Sequence, residues 1–292
     1  MKLKLVPFAI ICILLSLNAQ TKRTIGAVDR LHPELDQYIS PGAEIEILAE
    51  GFGWSEGPVW VNRLDAILFS DVPANKIYRW DEKNGLGVFL DPSGYTGIAP
   101  RGKEGSLNAE NRDESGSNGL VLDANGQLTI CMHGDRRVAK LEDWEKKSFS
   151  TIVGKYQGKY FNSPNDLVFA KNGDLYFTDP PYGLKKGDQD PLKELDYNGV
   201  YKLTPSGKLS LIIKDLTRPN GVAIPMTKRR CMWLYLTQKT EESWPMISPP
   251  RAWKMAGYFL TMMHCQKETK GTLTGLKSIL RVPFFLLDPV VF

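Results

Sequence analysis

Short apolar runs separated by polar turns, rather than long stretches of helical period, organise this chain. Residues 117–128 read SNGLVLDANGQL and residues 163–175 read SPNDLVFAKNGDL. Each gives Asn, then Gly or Asp, then Leu-Val, then a polar turn containing Asn-Gly, then Leu. The flanking runs LVL and LTI, or LVF and LYFTD, are short and rich in strand formers. Asn125-Gly126 and Asn172-Gly173 predict tight hairpins of type I′, in which both central residues need a positive φ. A third strand is expected after each hairpin, at Arg137–Leu141 and Gly199–Leu203. An earlier unit carries GPVWV, AILFSD and KIYRW, and PNGVAI at 219–224 opens a fourth copy. Asn118, Asn165 and Asn220 recur at separations of 47 and 55 residues. Units of three or four antiparallel strands at that period predict an all-β fold of β-propeller blades, with little helix.

The repeat also predicts where chemistry collects. In a propeller the innermost strand of each blade lines the central channel, and all of these strands run the same way. Residues just before them converge at one mouth. Glu56 precedes PVWV, Asn118 precedes LVL, Asn165 precedes LVF and Asn220 precedes VAI. A single Asn before Gly or Asp is ordinary turn chemistry, because its side chain mimics backbone. Four positions in matched register instead predict a shared site. One carboxylate and three carboxamides form a hard oxygen donor set, suited to a divalent cation, Ca²⁺ before Mg²⁺.

Charge divides the chain at the same place as the pattern. The formal net charge is +4, but residues 225–292 carry ten Lys/Arg against four Asp/Glu, so the body is mildly acidic. Six of the eight Met residues also fall in this tail. The body shows no basic face interleaved with aromatics, which sets aside a nucleic-acid partner. At the other end, Lys2 and Lys4 precede an apolar run from Leu5 to Leu17, with Ala19 at a plausible cleavage point. That run is short for a membrane span and reads as a signal peptide over residues 1–19. The expected protein is therefore secreted or periplasmic, with no stable membrane insertion after cleavage. Only Cys131, Cys231 and Cys265 would remain, so stability is expected from core size rather than a disulfide framework.

Several longer motifs carry a family resemblance. GWSEGPVW at 53–60, SNGLVLD at 117–123, CMHGDRRV at 131–138, NSPNDLVF at 162–169, YFTDPPYG at 176–183 and RPNGV at 218–222 resemble the gluconolactonase-like group of the SMP-30/gluconolactonase/LRE family. The resemblance runs from about residue 25 to Ile224. It implies a six-bladed propeller, a divalent metal at the channel mouth and hydrolysis of a sugar lactone. By motif, Glu56 resembles the carboxylate ligand and Asn220 the carboxamide ligand. Asn165 resembles the substrate-side asparagine near the metal, and counts among both metal and substrate groups. Asn118 and His133 are placed on the substrate side. Asp179 sits in a typical motif without an assigned role.

In such a site a cation polarises the lactone carbonyl, and a nearby carboxylate takes a proton from the attacking water. The family places that carboxylate on the aspartate of a later P-D-G motif, and this chain contains no P-D-G. The pattern is lost between Ile224 and Pro225. Codons for I-S-N-D-E-K-T-L-Y-V-A, with one T removed from their TTT run, are read as I-P-M-T-K-R-R-C-M-W, which is residues 224–233. At the same offset, Gly271–Val282 is compatible with N-P-D-G-L-K-V-D-S-K-G, the Asp codon straddling Leu273 and Thr274. Residues 20–224 are thus expected to be propeller blades. Residues 225–292 are expected to be an out-of-frame remainder, leaving the ring incomplete and lactonase activity impaired. A non-catalytic sugar- or ligand-binding propeller using the same mouth is the alternative.

Overall fold

The computed structural model describes residues 23–30, 33–101, 114–224, 232–238, 254–255 and 258–264, the last three stretches as backbone only. The chain divides into two compact units, Met1–Glu50 and Gly51–Phe292. The first has little regular structure in its described part. It holds a 3₁₀ turn at Pro33–Gln37, an antiparallel bridge between Thr24 and Glu46, and a two-pronged Arg23–Glu50 ion pair. The first strand of a four-stranded sheet starts at Ser55. The signal-peptide segment lies outside the described residues. Among those described, no helix is long and apolar enough to cross a membrane.

The second unit is built from antiparallel sheets. The first holds β1 (Ser55–Val61), β2 (Ala66–Asp71), β3 (Lys76–Asp81) and β4 (Gly85–Leu90), in that order. The second holds β5 (Leu120–Leu122), β6 (Leu128–Met132), β7 (Arg137–Asp143) and β8 (Ser148–Val153). A small hairpin follows, β9 (Lys155–Tyr156) with β10 (Lys159–Tyr160). The third sheet holds β11 (Leu167–Phe169), β12 (Leu175–Asp179), β13 (Asn198–Leu203) and β14 (Leu209–Leu216). These are the strands the repeat predicts, each with a fourth strand added outside. Apolar residues on both faces of each sheet explain the stacking. Val61, Leu68 and Ile77 of the first sheet pack on Leu120, Leu128, Ile130 and Leu141 of the second. From its other face, Cys131 and Val138 pack on Phe161, Leu175, Phe177 and Tyr201.

The hairpin turns differ in type from the expected one. Only Gly126 (φ 75°) and Gly173 (φ 84°) have positive φ there, not the preceding asparagines. The Asp123 carbonyl accepts from Gly126 N at 2.9 Å and Asp123 N donates to Gln127 O at 2.9 Å, and Ala170 with Asp174 repeats the arrangement. This is a type I turn closed by a left-handed glycine, a three-residue loop. The Asp123 carboxylate also accepts from Asn125 N and Gln127 N, a support the second hairpin does without, since Ala170 holds that position.

A fourth sheet pairs β15 (Val222–Ala223) with β16 (Met232–Gln238). β18 (Tyr258–His264) then lies between β16 and β17 (Lys254–Met255). The sequence pattern predicts that most of this blade is missing, yet the tail supplies three of its strands. Backbone pairing is indifferent to reading frame, and Met-Trp-Leu-Tyr-Leu is a run of apolar and aromatic residues that suits a strand.

Candidate functional site

The register brings the predicted rim residues to one position in successive blades. Glu56 pairs with Ser70, Asn118 N donates to Cys131 O at 3.0 Å, and Asn165 N donates to Thr178 O at 2.9 Å. Each stands opposite the middle residue of a strand end, Ser70, Cys131 or Thr178. Neighbouring blades are then stitched together at these residues. Ser70 Oγ donates to Asn118 O at 2.8 Å, Gly119 N to Asn165 O at 2.7 Å, and Thr178 Oγ1 to Asn220 O at 2.6 Å. The approach is close enough to demand glycine. A Cβ on Gly57, whose φ is +57°, would fall 2.4 Å from Asn118 O. Glu56, Asn118, Asn165 and Asn220 therefore follow one another along a single rim.

The stitching hydroxyls were not singled out by sequence reasoning, although a signal was present. Phe69-Ser70-Asp71 and Phe177-Thr178-Asp179 repeat as F-[S/T]-D, and Cys131 takes the middle position in the second blade. The aspartates of this motif are pins. Asp71 accepts from Gly53 N and Trp54 N, each at 3.1 Å. Asp179 accepts from Asn162 N at 2.9 Å and Ser163 N at 2.8 Å. Each carboxylate thus fixes the backbone two and three residues before its rim residue, which gives Asp179 a role the sequence left open. Burial raises the Asp179 pKa to about 7, against the pull of its two amides, Arg136 and Lys193. Asp166, which follows Asn165, is raised by burial to about 6 while accepting from Leu167 N and Val222 N of the next blade.

Side-chain hydrogen bonding separates two kinds of asparagine. Asn75 Oδ1 accepts from the amides of Ser93, Gly94 and Tyr95. Asn162 Nδ2 donates to Asp179 O, Tyr197 O and Asn198 Oδ1, and Asn198 Nδ2 donates to Asp188 and Thr217 O. These are turn-type asparagines whose amides serve the fold, although Asn162 Oδ1 is buried without a partner. Asn118 and Asn165 are 5% and 3% exposed, yet among the described residues neither carboxamide makes a hydrogen bond, and nor does that of Asn220. None of these amide atoms is sealed from solvent without a partner, so all three leave donors and acceptors open to a ligand along one rim. Glu56 stands at the end of this row, its Oε1 accepting from Trp54 Nε1 at 2.8 Å.

His133 sits elsewhere in the arrangement. It is fully buried in the turn after β6, with Nδ1 3.2 Å from Pro164 O and Nε2 3.6 Å from Glu114 Oε2. A Cβ on Gly183 would lie 2.9 Å from Nε2, so the ring is also packed from the third blade. It meets the Asn165 loop through the Pro164 carbonyl, and its Nε2 makes no hydrogen bond. Arg136, at φ 57° in the same turn, donates from Nε to Phe161 O at 2.6 Å and ties that loop to the second blade.

The donor set suits a hard cation: one carboxylate and carboxamide oxygens with unused lone pairs. Among the described residues, no group of three His, Cys, Asp or Glu side chains could hold a metal ion. The rim therefore offers a cation amides and a single carboxylate. The position that the other-frame reading gives the missing aspartate, at Leu273–Thr274, lies outside the described residues.

Residues 54–241 match the SMP-30/gluconolactonase/LRE-like region, a match that extends past Ile224. A gluconolactonase of Zymomonas mobilis subsp. mobilis (strain ATCC 31821 / ZM4 / CP4) is 42% identical over 207 residues, covering 71% of this chain and 56% of the relative. The structure of a Xanthomonas campestris gluconolactonase superposes with a TM-score of 0.56 at 30% identity, over 72% of this chain and 61% of that one. A structural-genomics target described as a candidate gluconolactonase gives 0.58 at 31%, over 73% and 64%. The chain thus spans between 56% and 64% of the length of these relatives. A match over most of its blades, with the rim residues inside it, shows that the chain belongs to the SMP-30/gluconolactonase/LRE family.

Proposed function

We propose that the rim is the site of a divalent-metal-dependent lactonase acting on a sugar lactone, and that this chain is an impaired member of that lineage. The observation that carries the reading is the row of unbonded carboxamides at Asn118, Asn165 and Asn220 beside Glu56. Glu56, Asn165 and Asn220 would hold the cation, Ca²⁺ by donor type. A bound cation supplies a Lewis acid for the lactone carbonyl. The chain's own residues do the rest of the positioning. Asn118 and Asn165 have amide donors for substrate hydroxyl or carbonyl oxygens, and the pins at Asp71 and Asp179 hold the backbone ahead of Glu56 and Asn165. A preorganised donor stabilises charge developing on the carbonyl oxygen without reorganising during the reaction. His133 is kept on the substrate side, its Nδ1 against the Pro164 carbonyl of the Asn165 loop and its buried Nε2 without a hydrogen bond.

Among the described residues, the row offers no second carboxylate to act as a base. Glu56 is the lone carboxylate of the row, and a lactonase needs a second to take the proton from water. We attribute the lack to a frame change at codon 224, which removes the P-D-G aspartate. The N-terminal apolar run supports export to the periplasm or the medium. The single carboxylate also favours a second reading for the chain as written, a rim that binds sugar lactone without turning it over. The test is lactone hydrolysis by the 292-residue chain and by a frame-restored version, with and without chelator. Turnover that appears only on restoration and disappears with chelator is expected. Robust metal-dependent turnover by the chain as written would overturn the impairment. Absent or chelator-insensitive turnover by the restored protein would leave the binding module.

A further inference from the structure

One contact at the rim has no counterpart in the third blade. Trp54 Nε1 donates to Glu56 Oε1 at 2.8 Å. Residues two apart on an extended strand share a face, which brings the indole and the carboxylate together. The backbone that carries the indole is itself fixed. Asp71, 2% exposed, accepts from Gly53 N and Trp54 N, while Trp54 O accepts from Val72 N at 3.0 Å. Glu56 is re-aimed by a register shift between Glu56 and Val59, with Gly57 in the left-handed region. A bulge of this kind turns a side chain out of the regular ladder, and the indole N–H then fixes the plane of the turned carboxylate. In the third blade, Asp179 pins the backbone in the same way, but Ser163 occupies the position of Trp54. Its hydroxyl points away from the rim, donating to Pro180 O at 2.6 Å and accepting from Gly183 N at 2.9 Å.

We infer that Trp54 is a positioning residue that presets the Glu56 carboxylate for cation binding, an inference that rests on the cation reading of the rim. Outer donors to a ligating carboxylate are worth about 10–100-fold in metal affinity. The test uses the full 292-residue chain and terbium as the probe, with binding followed by calorimetry and by emission excited through indole. The wild-type chain is expected to bind terbium in competition with Ca²⁺, with indole-sensitised emission, and Glu56→Gln is expected to remove that binding. Trp54→Phe keeps the ring and deletes the donor. It is expected to weaken terbium binding by about 10–100-fold and to extinguish most of the sensitised emission, with the unfolding midpoint unchanged. Wild-type affinity in Trp54→Phe would overturn the inference and leave the cation reading standing. Terbium binding indifferent to Glu56→Gln, or no binding at all, would overturn both. A metal-free measurement checks the contact: the Trp54 indole N–H resonance of the apo chain should move upfield in Glu56→Gln. An unmoved resonance would also overturn the inference.

Discussion

The rims of the first and third blades are the same scaffold used with different residues. In both, an F-[S/T]-D strand end supplies a hydroxyl that grips the next blade and a carboxylate that pins two amides ahead of the rim residue. In the first blade those amides precede Glu56 and lie near the surface. In the third they precede Asn165 and are sealed beneath the excursion between β12 and β13, where Asn162 and Ser163 are fully buried. The comparison shows that the fold fixes where a rim residue stands, while local burial fixes what each pin contributes.

The largest expected effect is at the buried pin. Asp179→Ala leaves two buried amides without an acceptor and should lower stability by about 2–5 kcal/mol in urea unfolding. Asp71→Ala, under the more open first-blade rim, should lower it by about 1–2 kcal/mol. Equal losses would break the distinction between the blades. The same pin sets a pH dependence. Asp179 has a folded-state pKa of about 7, raised from the ordinary 3.8. Between these values the folded chain holds the proton that the unfolded chain releases. Its contribution to stability therefore falls as pH rises from about 4 to 7, by at most about 1.4 kcal/mol per unit. Melting curves across that range should show the decline in the wild type and a flatter profile in Asp179→Asn.

The two asparagines of the third rim sharpen the contrast within one loop. Asn162→Ala loses an amide bonded to three acceptors and should cost about 2–3 kcal/mol. Asn165→Ala removes no hydrogen bond made by the described residues and should leave stability within about 0.5 kcal/mol while weakening terbium binding. A strongly destabilised Asn165→Ala would show that its amide serves the fold. The smallest effect is expected at Cys131, which stands where Ser70 and Thr178 stand. Cys131→Ser offers the missing hydroxyl to the Asn165 carbonyl and should change stability by no more than about 1 kcal/mol, as measured by urea unfolding.

Much of this was legible in the sequence, for a simple reason. Strand alternation and turn punctuation are local, so SNGLVLDANGQL and SPNDLVFAKNGDL were sufficient to predict the innermost hairpins and to put Asn118 and Asn165 in register. The turn type was not legible, because an Asn-Gly pair serves a two-residue or a three-residue loop, and only the pairing of Asp123 with Gln127 and of Ala170 with Asp174 separates them. Nor could spacing separate Asn162 from Asn165, which share a motif. Only their partners distinguish them, and Asn162 finds its partners at Tyr197 and Asn198, some 35 residues on. The F-[S/T]-D stitch was written in the chain twice, but its meaning depends on which strand lies next to which. The strands at 232–238 and 258–264 show the converse limit, since an apolar run pairs as a strand whether or not it belongs to the repeat.

The most direct test of the central claim is chelator-sensitive hydrolysis of a sugar lactone by protein with the frame restored after Ile224, measured beside its Glu56→Gln variant and the 292-residue chain. The account predicts turnover in the restored protein alone, abolished by chelator and by Glu56→Gln. Turnover that survives both, or that is equal in the chain as written, would contradict it.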